Sequence, residues 1–201
     1  MSGTILVGIT GASGSVYGLR LCEELLKAGQ RVLVTASNAG IGVVREETGL
    51  DLSGGEGEVT ARLRELFEAD PDRLAFHGAD NLFAPPASGS AAPHAMVVAP
   101  CSMGTLARIS AGLSGTLLER CADVMLKEGR PLVIVPRETP LSAIHLENML
   151  KLARLGVRVV PAMPAFYHRP RSLDDLVDFV VGKVLDTLGV PHELFTRWGT
   201  P

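Results

Sequence analysis

Four short segments of the 201-residue chain gather most of the side chains that can do chemistry. They are Thr10-Gly11-Ala12-Ser13-Gly14-Ser15, Ser37-Asn38, Cys101-Ser102-Met103-Gly104-Thr105 and Arg137-Glu138-Thr139. Glycines and small hydroxyl residues at the start of a helix expose backbone N–H groups, which with the helix N-terminus can hold a phosphate. The first segment can also be a tight turn whose glycines serve packing only. The third offers hydroxyls and amides to a phosphate, or plain helix capping by Ser102. Arg137 either gives a phosphate two parallel donors or joins a surface ion pair. Lys127, Tyr167, Arg169 and Lys183 can meet an anion too, or stand solvated at the surface. Trp198, the only tryptophan, covers an apolar pocket or packs a tail against a neighbour.

Spacing narrows the ligand. Gly11, Gly14 and Gly18 do not spell G-x-G-x-x-G, and no acidic residue follows the second apolar run to hold a ribose hydroxyl. Neither tyrosine has a lysine four residues on: Leu21 follows Tyr17 and Arg171 follows Tyr167. Dinucleotide and short-chain dehydrogenase readings therefore do badly, and a mononucleotide such as FMN fits better. Cys22, Cys101 and Cys121 are widely spaced, and the five histidines form no cluster, which argues against a zinc site and for free thiols in the cytoplasm. Cys101 reads as a small buried residue rather than a nucleophile, and His145 and His168 read as structural.

The elements that must position these residues follow from hydrophobic period. Residues 5–10, 31–36, 95–99, 131–135 and 157–160 are short apolar runs and predict buried strands. Helical spacing covers 16–28, 37–47, 59–68, 105–127 (divided by Gly112 and Gly115), 141–155 and a long helix capped by Ser172. Residues 84–93 are a loop rich in Pro, Ser and Gly. Strands apolar on both faces, alternating with helices, predict an α/β three-layer sandwich: a Rossmann- or flavodoxin-like doubly wound parallel sheet. Ligands in such sheets bind beyond the carboxyl ends of the strands. All four segments then meet at one edge.

Composition sets the outer bounds. With 46% hydrophobic and 20% charged residues, 1–201 reads as one domain with one continuous core. A net charge of −3 argues against a nucleic-acid partner. No apolar run is long enough to span a membrane, and the N-terminus lacks the basic region of a signal peptide. The mean hydropathy of +0.25 is high for so few charges and favours a homo-oligomer whose copies cover apolar surface.

Taken together, the stretches GITGASGSVYGLRL, ASGSAAP, APCSMGTLA, ADVMLKEGRPLVIVPRETPL, HLENMLKLARLG, PAFYHRP, LVDFVVGKVLDTLG and RWG resemble the UbiX-type flavin prenyltransferases. The resemblance is collinear over nearly the whole chain. PRETPL followed by PAFYHRP is its most specific part, whereas TGASG alone is weak. It implies a dodecameric FMN protein that joins dimethylallyl monophosphate to reduced FMN, at N5 and then C6, without a metal. The product, prenylated FMN, would serve UbiD-type decarboxylases.

Carried over by position, the resemblance assigns FMN contacts to Gly11, Ala12, Ser13, Ser37, Ser102, Met103, Gly104, Thr105 and Arg137. It assigns the prenyl phosphate to Lys127, Arg137, Glu138, Tyr167 and Lys183, with Trp198 lining the prenyl pocket. Ser13 and Glu47 match the pair that handles protons near flavin N5, and complete a catalytic set with Lys127, Glu138, Tyr167 and Lys183. Cations around a poor leaving group suit metal-free chemistry. Gly129 and Asn38 depart from the Arg and Lys of many relatives, and 51–90 is longer than in some. Two alternatives come from other classes. An FMN-dependent cysteine decarboxylase carries a PASANT-like segment and a catalytic His, where this chain has APCSMGT. A non-enzymatic flavin carrier would not need Lys127, Glu138, Tyr167 and Lys183 together.

Overall fold

The computed structural model describes residues 3–199. Six parallel strands form one sheet in the order β3-β2-β1-β4-β5-β6: β1 (Thr4–Ile9), β2 (Arg31–Ala36), β3 (Leu74–His77), β4 (Ala95–Cys101), β5 (Leu132–Pro136) and β6 (Arg158–Val159). Of the doubly wound arrangements, this is the 3-2-1-4-5-6 order, which reverses between β1 and β4.

Alternation along each strand splits the core into two layers. Ile5, Val7 and Ile9 of β1 join Val32, Val34, Val97 and Val133 on one face. There they meet α1 (Ser15–Lys27), α2 (Asn38–Thr48), α3 (Glu56–Leu66) and α7 (Leu173–Leu188). Leu6, Met96, Val98 and Ile134 face the other way, onto α4 (Met103–Ser110), α5 (Leu117–Lys127) and α6 (Ala143–Arg154). The chain thus winds over one face toward β3, over the other toward β6, and returns with α7 to the first.

The sequence reading located five strands and missed β3. This four-residue edge strand alternates buried and half-buried residues just after the Asp70-Pro71-Asp72 turn, too short for its period to stand out. Helix α3 starts earlier than the 59–68 pattern, because Gly55 caps it and Glu56 and Glu58 favour its N-terminal dipole. The 105–127 stretch is divided as expected. Gly112 takes a positive φ of 72° after α4, and Thr116 opens α5 with a reciprocal cap to Glu119. The 84–93 loop contains two single 3₁₀ turns.

Helix α1 lies close on β4 through Gly18, where a Cβ would collide with the Ala99 carbonyl oxygen and crowd Ile9. Gly42 of α2 has nothing within 4 Å of the same position. Gly18→Ala should therefore cost about 2 kcal/mol or more through overpacking against backbone. Gly42→Ala should gain about 0.5–1 kcal/mol from helix propensity. Urea denaturation of the two variants checks both signs.

Candidate functional site

The carboxyl ends of β2, β1, β4 and β5 are stitched together in that order. The Ser37 N–H donates to the Ile9 carbonyl at 2.9 Å, and the Arg137 N–H to the Cys101 carbonyl at 3.3 Å. Between β1 and β4, the fully buried Thr10 hydroxyl donates to the Pro100 carbonyl at 2.8 Å and accepts the Ser102 N–H at 2.7 Å. The four segments singled out by chemistry therefore share one edge.

Two helix N-termini open onto this edge. Ser102 caps α4, accepting the Thr105 N–H at 3.2 Å with the Thr105 hydroxyl 3.1 Å away. The first-turn amides of Met103 and Gly104 have no intrahelical acceptor, and the space where a Gly104 Cβ would stand is open for 4 Å. Ser37 caps α2 in the same way, accepting the Gly40 N–H at 3.0 Å. Both ends fit the anion-binding role expected of Ser37 and of 102–105.

The third N-terminus, that of α1, is different. Gly14 stands at its N-cap with φ 105° and brings no side-chain cap. Glu47, from the last turn of α2, supplies one instead. Its carboxylate accepts the Gly14 N–H at 3.0 Å, the Ser15 N–H at 2.8 Å and the Ser15 hydroxyl at 2.7 Å. Burial raises the Glu47 carboxyl, but hydrogen bonds from Ser13, Ser15 and Gly14 outweigh this and hold it below its ordinary value. The amides of Gly14 and Ser15 are thus committed to an internal anion.

Arg137 bridges the two halves of the edge, its Nε donating to the Ser13 carbonyl at 2.9 Å. Burial raises the Tyr17 hydroxyl, and the positive charge of Arg137 partly offsets this. Gly11 packs on the start of α2, where a Cβ would meet the Ala39 methyl at 2.5 Å, and Ala12 is buried beside it. Glu138 turns back on its own loop and accepts the Thr139 N–H at 2.9 Å.

The other predicted groups lie elsewhere in the chain. The Tyr167 ring meets Phe179 of α7 at 5.8 Å and Trp198 at 5.3 Å, both edge-on. Lys183 is ten residues into α7, about 15 Å along the helix, and its Nζ lies 3.4 Å from Asp186. Lys127 ends α5 at the edge where the strands begin, close to Gly89, and pairs with Glu128 at 2.5 Å. One chain therefore unites Gly11, Ala12, Ser13, Ser37, Glu47, Ser102–Thr105 and Arg137, with Glu138 next along the same turn. It groups Tyr167 with Trp198 separately, and leaves Lys127 at the opposite edge.

Sequence reasoning places Thr10 and Ser15 in the first segment but gives them no role of their own, and weighs Tyr17 only against a dehydrogenase pattern. A threonine ending an apolar strand and a serine opening a helix were the available signals. Cys101 is fully buried and its thiol is pushed up by that burial, as expected of a packing residue. His145 accepts the Ser142 N–H at 3.2 Å at the start of α6, a structural role. Among the described residues no helix is long and apolar enough to cross a membrane, and no cluster of three His, Cys, Asp or Glu is placed to hold a metal ion.

A doubly wound sheet with two uncommitted helix N-termini and a guanidinium at its switch point defines an α/β protein for a phosphate-bearing ligand. Residues 2–185 match the Flavoprotein family. The flavin prenyltransferase UbiX of Halalkalibacterium halodurans is 55% identical over 197 residues, covering 98% of this chain and 94% of that protein. The structure of AnUbiX (PadA1) in complex with FMN and dimethylallyl pyrophosphate is 36% identical with a TM-score of 0.88, covering all of this chain and 99% of that one. A dodecameric FMN-dependent UbiX-like decarboxylase from Escherichia coli O157:H7 is 40% identical with a TM-score of 0.86, covering 98% of this chain and 100% of that one. The chain belongs to the flavin prenyltransferase family, a family of transferases.

The Glu47 contacts predict a pH-dependent contribution to stability. A carboxylate held below its ordinary 4.5 stabilises the fold above that value and loses its contribution as pH falls through the lowered one. Glu47→Gln should cost about 1 kcal/mol at pH 7, since the group is exposed to solvent screening. The difference from the parent should vanish in acid. Denaturation midpoints from pH 7 down to pH ~3 follow this.

Proposed function

We propose that this chain joins a dimethylallyl phosphate to reduced FMN and releases prenylated FMN to a UbiD-type decarboxylase, working in the cytoplasm as a homo-oligomer, a dodecamer. The reading is carried by the convergence of Ser37, the 102–105 turn and Arg137 at the β1/β4 switch point. Family membership and the FMN and dimethylallyl pyrophosphate held by AnUbiX support it.

The residues present fit a flavin mononucleotide. Open space over Gly104 and the first-turn amides of α4 admit a phosphate. Gly11 and Ala12, pressed between β1 and the start of α2, leave a flat floor without protruding side chains. FMN, when bound and reduced, supplies the nucleophilic N5 and then C6.

The chain's own residues do the rest. Arg137, Lys127 and Lys183 hold the prenyl phosphate and stabilise the charge that develops as its carbon–oxygen bond breaks. Tyr167 donates a hydrogen bond to the same oxygens, and Glu138 orients the cations around them. Trp198 offers a π face to the cationic prenyl group. Ser13 and Glu47 manage the N5 proton: Glu47 is ionised at neutral pH and, through Ser13 and Ser15, has a ready hydrogen-bonded path. Ring closure opens the prenyl double bond: the departed phosphate, kept in place by the cations, would give a proton to one of its carbons as the other bonds C6, and would take back the proton lost at C6. Fixing both partners converts a bimolecular alkylation into a positioned one.

Oligomerisation is part of this reading. Lys127 sits at the edge opposite Arg137, so it reaches a prenyl phosphate only from another copy. The alternatives gain no support: the chain carries APCSMGT where the cysteine decarboxylases have their PASANT-like segment, and a flavin carrier has no use for the cations.

Anaerobic incubation with reduced FMN and dimethylallyl mono- or diphosphate, followed by mass measurement of the released flavin, tests the reaction. A C5H8 adduct is expected; unmodified FMN from folded, flavin-loaded protein would count against it. Lys127→Ala and Glu138→Ala should each retain flavin and lose prenyl transfer. Co-expressed, the two should regain part of the activity, because mixed interfaces join an intact Lys127 to an intact Glu138. No recovery would place both residues in sites within one chain.

A further inference from the structure

The final described residues fold back onto α7 and close an aromatic group around Tyr167. Gly182 makes this possible. Glycine inside a helix costs about 1 kcal/mol relative to alanine. Here a Cβ would come within 2.5 Å of Phe195 and 2.7 Å of His192. The helix therefore carries a notch that receives both rings, and Phe195 goes on to pack against Phe179 with centroids 4.9 Å apart.

One turn further along α7, Asp186 gathers four donors. Arg197 binds it through both terminal nitrogens, Nη2 to Oδ1 at 2.8 Å and Nη1 to Oδ2 at 3.2 Å. His192 Nε2 lies 3.2 Å from Oδ1, and Lys183 Nζ 3.4 Å from Oδ2. The Leu194 N–H donates to His192 Nδ1 at 3.2 Å, so the ring proton sits on Nε2 and points at the carboxylate. Hydrogen bonding from Arg197 holds the Asp186 carboxyl down at about 2, so it is ionised under ordinary conditions.

Trp198 follows Arg197 directly. Its ring stands against Tyr167 while 80% exposed. So exposed an indole is poorly fixed by its own packing, and the two-pronged pair made by its neighbour is the stronger constraint.

We propose that Asp186 is a positioning residue for the transfer reaction: by clamping Arg197 it sets Trp198 against Tyr167, and by its longer contact it keeps Lys183 poised one helical turn from Phe179. This rests on reading Tyr167, Lys183 and Trp198 as the groups that meet the prenyl phosphate. Asp186 itself touches no substrate. Lys183 makes the longest of the four contacts, so a phosphate can draw its ammonium away while the clamp on Arg197 holds.

Trp198 is the only tryptophan, so its emission reports the arm directly. Asp186→Asn removes the charge with little change of shape, and Gly182→Ala fills the notch from a different direction. In flavin-loaded protein of parental thermal stability, both should shift Trp198 emission and increase its quenching by acrylamide. Both should also raise KM for dimethylallyl phosphate, by about tenfold for the loss of one charge-assisted hydrogen bond, with kcat changed less. Asp186→Glu should recover part of each effect. Unchanged emission in both variants would overturn the clamp. Altered emission with an unchanged KM would reduce the arm to a structural tail and overturn the positioning role. A parent chain that never prenylates flavin would sink the reading of the site, while the fluorescence would still decide the clamp.

Discussion

The Thr10 hydroxyl is the point on which the functional edge depends. The sheet reverses between β1 and β4, so those two strands diverge in connectivity just where a ligand must contact both. They pair in register from Ile5 to Gly8, short of their carboxyl ends. Beyond it, Thr10 donates to the Pro100 carbonyl and accepts the Ser102 N–H, continuing the join with one side chain. Ser102 then caps α4, and the Cys101 carbonyl accepts the Arg137 amide. The hydroxyl thus anchors the start of α4, together with the Thr10 N–H that donates to the same Pro100 carbonyl, and the next residue pair along β4 and β5 places the arginine. A valine would match its shape but leave the Ser102 amide without its acceptor.

Electrostatics then assigns different work to three helix N-termini. Each exposes amides and carries partial positive charge. At α1 the Glu47 carboxylate takes the amides of Gly14 and Ser15, which pins α2 to the first turn and neutralises that end. At α2 and α4 short serine caps satisfy one amide each and leave the rest of the turn to a ligand. An anion arriving at this edge meets repulsion near Glu47 and attraction near Ser102 and Arg137. The carboxylate thus polarises the edge, negative at the α1 end and positive at the α4 end.

The winding and the shared edge were legible because they depend on short-range pattern. Apolar runs such as 5–10 and 95–99 and the caps Ser37, Ser102 and Ser172 carry their own signals. What was not legible depends on contacts distant in sequence. Glu47 reaches Gly14 and Ser15 across more than thirty residues, and nothing around TGASGS announces that these two amides are taken. Strand β3 has too few residues for its period to show. The roles of Thr10 and Ser15 depend on partners that only the folded sheet brings near. Lys127 was misplaced by the motif although the topology held the answer, because a helix joining parallel strands runs back against them and ends where the next strand begins.

That placement of Lys127 connects the site to the surface of the molecule. Helix α6 exposes Ile144, Leu146 and Leu150, and Leu155 just beyond it is exposed too. Phe83 of the long 79–93 connection is fully exposed. Apolar surface of this extent is costly in water unless something covers it. The phosphate-binding role proposed for Lys127 likewise has no route within an isolated chain, since Lys127 and Arg137 stand at opposite edges. Both facts have one physical resolution, the association of copies proposed for this chain. In the proposed reading assembly would do two things at once: remove apolar side chains from water, and bring Lys127 of one copy toward Arg137 and Glu138 of the next. The proposed metal-free transfer would gather several cations around one phosphate, and building all of them into a single chain would set like charges side by side in the folded monomer. Dividing them between copies postpones that repulsion until apolar burial between the copies, and then the phosphate itself, can offset it.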